Sequence, residues 1–394
     1  MLIGLVGKPN TGKSTFFKAA TLANILIANY PFATIKPNHG MASVKIDCID
    51  KEFNTQCMPR TGYCINHKRF VPVDLMDVAG LVKGASEGKG LGNQFLDELR
   101  QADVFIQIVD ASGETDAEGK TTEDYNPVQD IEMLENELDL WYVGILKKVW
   151  KTFSRTIQTT GENFAQAVAK QFSGLKVSEE DVKSVVLKLG YDTEKPANWD
   201  DDQIMNFSHE LRHRTKPMII AANKIDRVNS AENLKKLKEA YPELMIIPCS
   251  ADSELALREA SKAEMIEYIP GESDFKIIKD LNEKQKEALE LIRKNVLEVY
   301  GSTGVQDILN KSVFDLLKYF AVFPAGVNKL ADSKGNILPD CFLVPPGTTA
   351  LEFAYRLHTD IGKNFVKAID VHTKQAVGKD HKLKHRDGIE IMVR

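Results

Sequence analysis

Apolar positions along the chain follow two different periods, and the change between them divides it. Short, almost unbroken apolar runs at residues 2–6, 70–76, 104–109, 217–222 and 245–248 have the length of strands buried on both faces. Helical stretches are expected beside them at 15–29, 93–101 and 231–241, while 41–49 alternates like an edge strand. Strands alternating with helices predict a mostly parallel α/β sheet. Residues 50–69 are polar and irregular and are read as an insertion or hairpin.

Over 125–214 the strand signal stops. Val128, Ile131, Leu134, Leu138, Trp141, Ile145 and Val149 recur at intervals of three and four, which predicts a long amphipathic helix. Gly161, Gly174 and Gly190 punctuate further helical pieces, and Ser178 before Glu179, Glu180 and Asp181 reads as an N-cap with acids in the first turn. Residues 252–320 are again helical, with an amphipathic stretch at 283–300. Beyond them, strand-like pieces at 328–331, 340–344, 365–370 and 389–393 surround a helix at 349–357. The expected division is a sheet-containing domain from 1–124 and 215–275, a helical insertion at 125–214, a helical connection at 276–319 and a small C-terminal domain at 320–394.

Composition narrows the class. The chain has 394 residues, 43% hydrophobic and 27% charged, with a net charge of −5, so it can bury sizeable cores and carries no overall basic footprint for DNA. Only residues 320–394 lean basic, with 11 Lys and Arg against 8 Asp and Glu. The group Lys147, Lys148, Lys151 and Arg155 is read as a solvated helix face. No apolar run is long enough to span a membrane, and the glycine-rich loop begins where the core of a signal peptide would continue. Five scattered cysteines suit a reducing, cytoplasmic setting. Cys48, Cys57, Cys64 and His67 cluster loosely, but no C-x₂-C pair is present, so they are read as ordinary thiols, with a zinc site as the alternative.

Four motifs carry the chemistry. Gly7 to Ser14, Gly-Lys-Pro-Asn-Thr-Gly-Lys-Ser, fits G-x-x-x-x-G-K-[ST] between the first strand and the first helix, the context this phosphate-binding loop requires. Gly7 and Gly12 let the backbone curl so that N–H groups, including those of Thr11 and Thr15, face phosphate oxygens. The helix start adds its positive dipole end. Lys13 can reach the β- and γ-phosphates, and the Ser14 hydroxyl can bind Mg²⁺. Thr34, in the loop after the first helix, can offer its hydroxyl to Mg²⁺ and its N–H to a γ-phosphate. Asp77 and Gly80 end the second buried run as D-x-x-G, placing a carboxylate for Mg²⁺ and an N–H for the γ-phosphate. The fourth motif, Asn223-Lys224-Ile225-Asp226, reads the base. The Asp226 carboxylate can accept from the N1–H and 2-amino group of guanine, a donor pair adenine lacks. Asn223 can bridge base and phosphate loop, Lys224 can lie along the ring, and Ser250 and Ala251 can offer backbone contacts to the guanine O6.

On these residues the chain resembles the Obg superfamily of P-loop GTPases, closest to its YchF-like branch. Residues 7–15, 29–38 and 77–97 carry the likeness, including Gly80, Gly84, Gly88, Gly90 and Gly92. Residues 320–394 resemble a TGS module, a ubiquitin-like β-grasp fold, through 343–349, 353–355, 358–362 and 387–391. The resemblance implies a P-loop GTPase fold with a helical insertion and a C-terminal TGS domain. It also implies GTP hydrolysis with Mg²⁺, and a translation-linked role with ribosome or RNA contact through the tail. YchF members commonly alter the guanine-reading motif and can use ATP; here it is intact, which favours GTP. An ATP-preferring ATPase and a ribosome- or RNA-binding regulator with negligible turnover are the alternatives. Ras-type enzymes have a glutamine directly after D-x-x-G; here Leu81 stands there, so intrinsic hydrolysis is expected to be slow. In related GTPases an asparagine at the place of Asn10 helps bind K⁺. Asn10, Lys13, Thr34 and Gly80 are therefore the expected catalytic set, with Asn10 the candidate K⁺ ligand.

Overall fold

The computed structural model describes residues 1–22, 39–78, 100–332 and 334–394. The chain opens β1 (Leu2–Val6), α1 (Lys13–Thr21), β2 (His39–Asp47), β3 (Tyr63–Ile65), β4 (Lys68–Asp77) and β5 (Val104–Asp110). A helical run follows: α2 (Val128–Lys147), α3 (Trp150–Thr160), α4 (Phe164–Gln171), α5 (Glu179–Leu189) and α6 (Asp201–Thr215). Alternation then resumes with β6 (Met218–Asn223), α7 (Ser230–Ala240), β7 (Met245–Pro248) and α8 (Ala251–Lys262), followed by a short antiparallel pair, β8 (Ile266–Glu267) and β9 (Lys276–Ile277). The described residues group into two compact units, one of 1–17, 75–253 and 291–304, the other of 18–74, 254–290 and 305–394.

The first unit is a parallel sheet with helices. β1 pairs β5 in register Ile3↔Val104, β5 pairs β6 at Phe105↔Met218, and β6 pairs β7 at Ile219↔Met245, all parallel. β5 and β6 are buried along their whole length, as the apolar runs require of central parallel strands. Every described element between α2 and α6 is helical, as the change of period predicts. Ile131, Leu134, Leu138 and Trp141 of α2 pack into one core with Phe105 and Val109 of β5, so the helical segment and the sheet bury a common apolar surface. Trp199 anchors the far helices, with its ring centroid 5.2 Å from Phe164 and 5.4 Å from Trp150. Ser178 caps α5 in a reciprocal capping box with Asp181, as expected from sequence.

The second unit holds β2, β3 and most of β4. Residues 49–53 form a short 3₁₀ helix, and β3 and β4 make a hairpin whose two turn residues, Asn66 and His67, both have positive φ (48° and 62°), the backbone of a tight two-residue turn. Of the insertion or hairpin expected at 50–69, the structure has the hairpin, preceded by an ordered 3₁₀ helix. Its C-terminal part is a sheet of β10 (Phe320–Pro324), β11 (Phe342–Val344), β12 (Phe365–Asp370), β13 (Ala376–Val377) and β14 (Asp387–Val393), in the order β11-β10-β14-β12-β13. β10 and β14 run parallel, and the remaining pairs run antiparallel. The helix Ala350–Leu357 covers the sheet through Phe353 and Ala350, and this is the β-grasp arrangement the tail predicts. The strand expected at 328–331 is only a single bridge, Ala331↔Ile337, and the first strand lies earlier, at β10. The helix expected over 283–300 is broken by a π-turn at Arg293–Leu297. No described helix is long and apolar enough to cross a membrane.

Candidate nucleotide-binding site

The phosphate loop hangs between β1 and α1 because an apolar strand must end where glycine frees the backbone. Gly12 has φ +93°, and a Cβ there would sit 2.3 Å from Asn223 Nδ2. Gly12 O then accepts the Phe16 N–H at 2.9 Å, the first turn of α1. Lys13, Ser14 and Thr15 consequently sit at a helix start, where free N–H groups and the dipole favour an anion. They line a cavity of about 570 Å³ together with Asn223, Lys224 and Asp226, a volume suited to a small-molecule ligand. Gly7 and Thr11 shape the loop from behind: Thr11 is buried, with its hydroxyl donating to Lys8 O.

Charge converges at the phosphate end. Lys13 Nζ lies 2.7 Å from Asp77 Oδ1, joining the loop lysine to the carboxylate that ends β4. A lysine and a carboxylate therefore occupy one spot, and Ser14 lines the same cavity as Lys13. The oxygen donors of Asp77 and Ser14 fit Mg²⁺. Thr34, Gly80 and Leu81 lie outside the described residues, as do residues 93–99 of the helix expected at 93–101 and the glycine-rich stretch 80–92.

The end expected to read the base is built from strand ends. β6 finishes at Asn223, whose Nδ2 donates to Thr11 O at 2.8 Å and whose Oδ1 accepts from Ala251 N at 3.0 Å. One side chain thus ties the phosphate loop to the segment after β7. Asp226 Oδ1 accepts from Ser250 Oγ at 2.7 Å, and Ser250 is fully buried. Lys224, in a left-handed turn at φ 62°, places its Nζ 2.8 Å from Asp110 Oδ2. Burial pushes the Asp110 carboxyl up, but Lys224 and the hydroxyls of Ser112 and Thr115 outweigh it and hold it below the usual range.

Sequence reasoning missed Asp110 and the loop that follows. Lys8 is buried, 2.9 Å from Asp130 Oδ2 and 2.9 Å from Thr115 O, with its ammonium 3.9 Å from the Tyr125 ring centre. Asn10 Nδ2 donates to Gly119 O at 2.8 Å. Residues 111–125 thus brace the phosphate loop from outside. The available signal was Asp110 itself, a polar residue ending an apolar strand as Asp77 and Asn223 do.

A GTP-binding protein of Methanocaldococcus jannaschii is 47% identical over 394 residues, spanning 99% of this chain and 98% of that protein. The chain belongs to the Obg-like GTPases, in their YchF-like branch. Three family models agree along its length: "50S ribosome-binding GTPase" over 2–140, "Obg-like GTPase YGR210-like, G4 motif-containing domain" over 221–326, and "TGS domain" over 332–393. The crystal structure of a GTP-binding protein from Pyrococcus horikoshii superimposes with a TM-score of 0.80 at 40% identity, covering 100% of both chains. A more distant relative, the ribosome-binding ATPase YchF of Bacillus subtilis, is 28% identical over 383 residues, 93% of this chain and 87% of that protein. The P-loop GTPase fold and the TGS tail expected from sequence are those of the family.

Proposed function

We propose that this protein binds GTP, hydrolyses it with Mg²⁺, and uses the bound nucleotide as a switch in ribosome-linked work. The observation that carries the reading is the bridge made by Asn223 between Thr11 and Ala251, with Asp226 held beside it by Ser250. A carboxylate fixed in that way presents two acceptor oxygens to a ligand edge. Guanine offers a matching donor pair, and adenine would leave the acceptor unpaired. Ser14, Thr34 and Asp77 are the residues to hold Mg²⁺, which would neutralise charge on the phosphates. Lys13, Gly80 and the loop N–H groups act on the same phosphates.

Competition of GTP and ATP for the protein tests the base preference. GTP should displace a fluorescent guanine nucleotide far better than ATP, and Asp226→Asn should transfer the preference to xanthosine nucleotides by inverting the donor–acceptor match. Equal displacement by ATP would favour the ATPase reading that the name of the Bacillus subtilis relative suggests. Asn10 serves hydrolysis in this reading. Its amide nitrogen is taken by Gly119 O, which leaves its oxygen for K⁺, a cation able to stabilise transition-state charge in a site where Leu81 stands in place of the water-orienting glutamine. Turnover should be faster in KCl than in NaCl at equal ionic strength, and Asn10→Ala should remove the difference; equal rates in the two salts would refute it. The names of the YchF relative and of the first family model support the ribosome as partner, and the TGS tail is the contact in this reading.

A further inference from the structure

Three cysteines at irregular spacing meet in the second unit. One sulphur each from Cys48, Cys57 and Cys64 and one carboxylate oxygen of Asp50 all lie within 4.8 Å of one another. Cys48, Asp50 and Cys57 are buried and Cys64 is half-buried. The four donors come from four successive places along the chain: Cys48 follows β2, Asp50 lies in the 3₁₀ helix Ile49–Phe53, Cys57 follows that helix, and Cys64 lies in β3. All three cysteines are free thiols. Bonds of about 2.3 Å from Zn²⁺ to sulphur put two thiolates on a tetrahedral ion about 3.8 Å apart, so the cluster already has the dimensions of a four-donor site.

Two surrounding features point to an ion. Asp50 is held in place from both sides: its Oδ2 accepts from Cys57 N at 2.9 Å, and its Oδ1 lies 2.9 Å from His67 Nδ1. A carboxylate oriented by a histidine on one oxygen is the kind of outer support that metal ligands receive. The second feature is Arg69, which is 1% exposed. Its two terminal nitrogens donate to Leu338 O and Pro339 O, while its buried Nε has no hydrogen-bond partner among the described residues. Arg69 lies beside the thiols of Cys57 and Cys341. A buried guanidinium set beside thiols and carbonyls needs an anionic neighbour. A dication bound by three thiolates and a carboxylate is such a neighbour, because the assembled centre is negative overall.

We propose that Cys48, Cys57, Cys64 and Asp50 bind a structural Zn²⁺, with His67 positioning Asp50. On binding, each of the three thiols releases its proton to solvent and its sulphur lone pair forms a bond to the ion; no electron is transferred. All four positions are filled by protein, which makes the site structural rather than catalytic. The ion pins the end of β2, the 3₁₀ helix and the β3–β4 hairpin. That is the platform on which the tail's start rests, since Met58 N donates to Ile337 O and Arg60 N to Pro339 O.

The test is metal content of the full chain purified after growth with Zn²⁺, measured by plasma mass spectrometry. About one ion per chain is expected, as for a single closed site. After replacement by Co²⁺, the protein should show sulphur-to-cobalt charge-transfer absorption and the strong visible bands of a tetrahedral centre. Cys57→Ser should lose the ion, Cys341→Ala should keep it, and His67→Ala should keep it with affinity weakened about 10–100-fold, as for a supporting residue. The wild-type measurement stands even if a variant fails to fold. A metal-free protein whose thiols all react with a thiol reagent, or a disulfide between any two of the three, overturns the proposal. Loss of the ion in His67→Ala with retention in Asp50→Asn overturns the assignment of the fourth ligand.

Discussion

Asn223 uses both ends of its amide inside the protein, donating to Thr11 O and accepting from Ala251 N. It can do so only because Gly12 has no side chain. A methyl group at position 12 would stand 2.3 Å from Asn223 Nδ2, on a backbone at φ +93° that other residues rarely adopt. Gly12→Ala should therefore strain the loop by about 1–3 kcal/mol and push Asn223 out of its bridge. GTP affinity measured by fluorescence titration should fall at least tenfold, and an unchanged affinity would contradict the bridging role. The types and spacing of these residues were legible in the sequence. Lys224 was legible only in part: its ion pair with Asp110 depends on where a different strand happens to end.

At the scale of elements, α2 and α6 are joined by more than their apolar faces. Arg212 is 1% exposed. Its Nε donates to Asp139 Oδ1 at 2.8 Å and its Nη1 to Glu135 Oε1 at 3.0 Å, with Nη2 on the other Glu135 oxygen. His213 and His209 close the network on Glu135 and Asp139. Removing the cation strands two carboxylates, so Arg212→Ala should cost about 3–5 kcal/mol, read by denaturant unfolding. Acid should act on the same network. Burial pushes the Glu135 carboxyl up, but His213 and Arg212 outweigh it and hold it near about 2, against an ordinary value of 4.5. A carboxyl lowered on folding contributes stability above its ordinary value and loses it as pH falls through the folded value. Unfolding free energy should therefore drop between pH 4.5 and about 2, and the drop should shrink in Glu135→Gln. The helical period predicted α2 well because its apolar stripe is long; the buried Arg212 was invisible, since a cation on a helix reads as exposed until its partners are known.

For the whole molecule, the proposed switch predicts a nucleotide-dependent partner. The protein should co-sediment with ribosomes to different extents with GTP, with GDP and without nucleotide, and truncation before residue 320 should weaken that association. Equal association in all three states would count against a switch. The two compact units do not follow the expected division at 124, 214 and 275. The helical residues 125–214 fall with the sheet that their apolar face covers, while residues 18–74 fall with the tail. Periodicity reports which face of an element is apolar, but it does not say which other element will cover it.

The sequence alone determined the local chemistry. Glycines that permit the phosphate loop, apolar runs that must be buried strands, and the Asn223–Asp226 motif are properties of residue type and spacing, and these survive without knowledge of long-range contacts. Tertiary structure decided everything that depends on pairing across sequence. It set Lys224 on Asp110, buried Arg212 between two acids, and braced Asn10 with Gly119. It also gathered Cys48, Cys57 and Cys64, whose irregular spacing reads as ordinary thiols, because a 3₁₀ helix and a two-residue hairpin turn bring their sulphurs to one point.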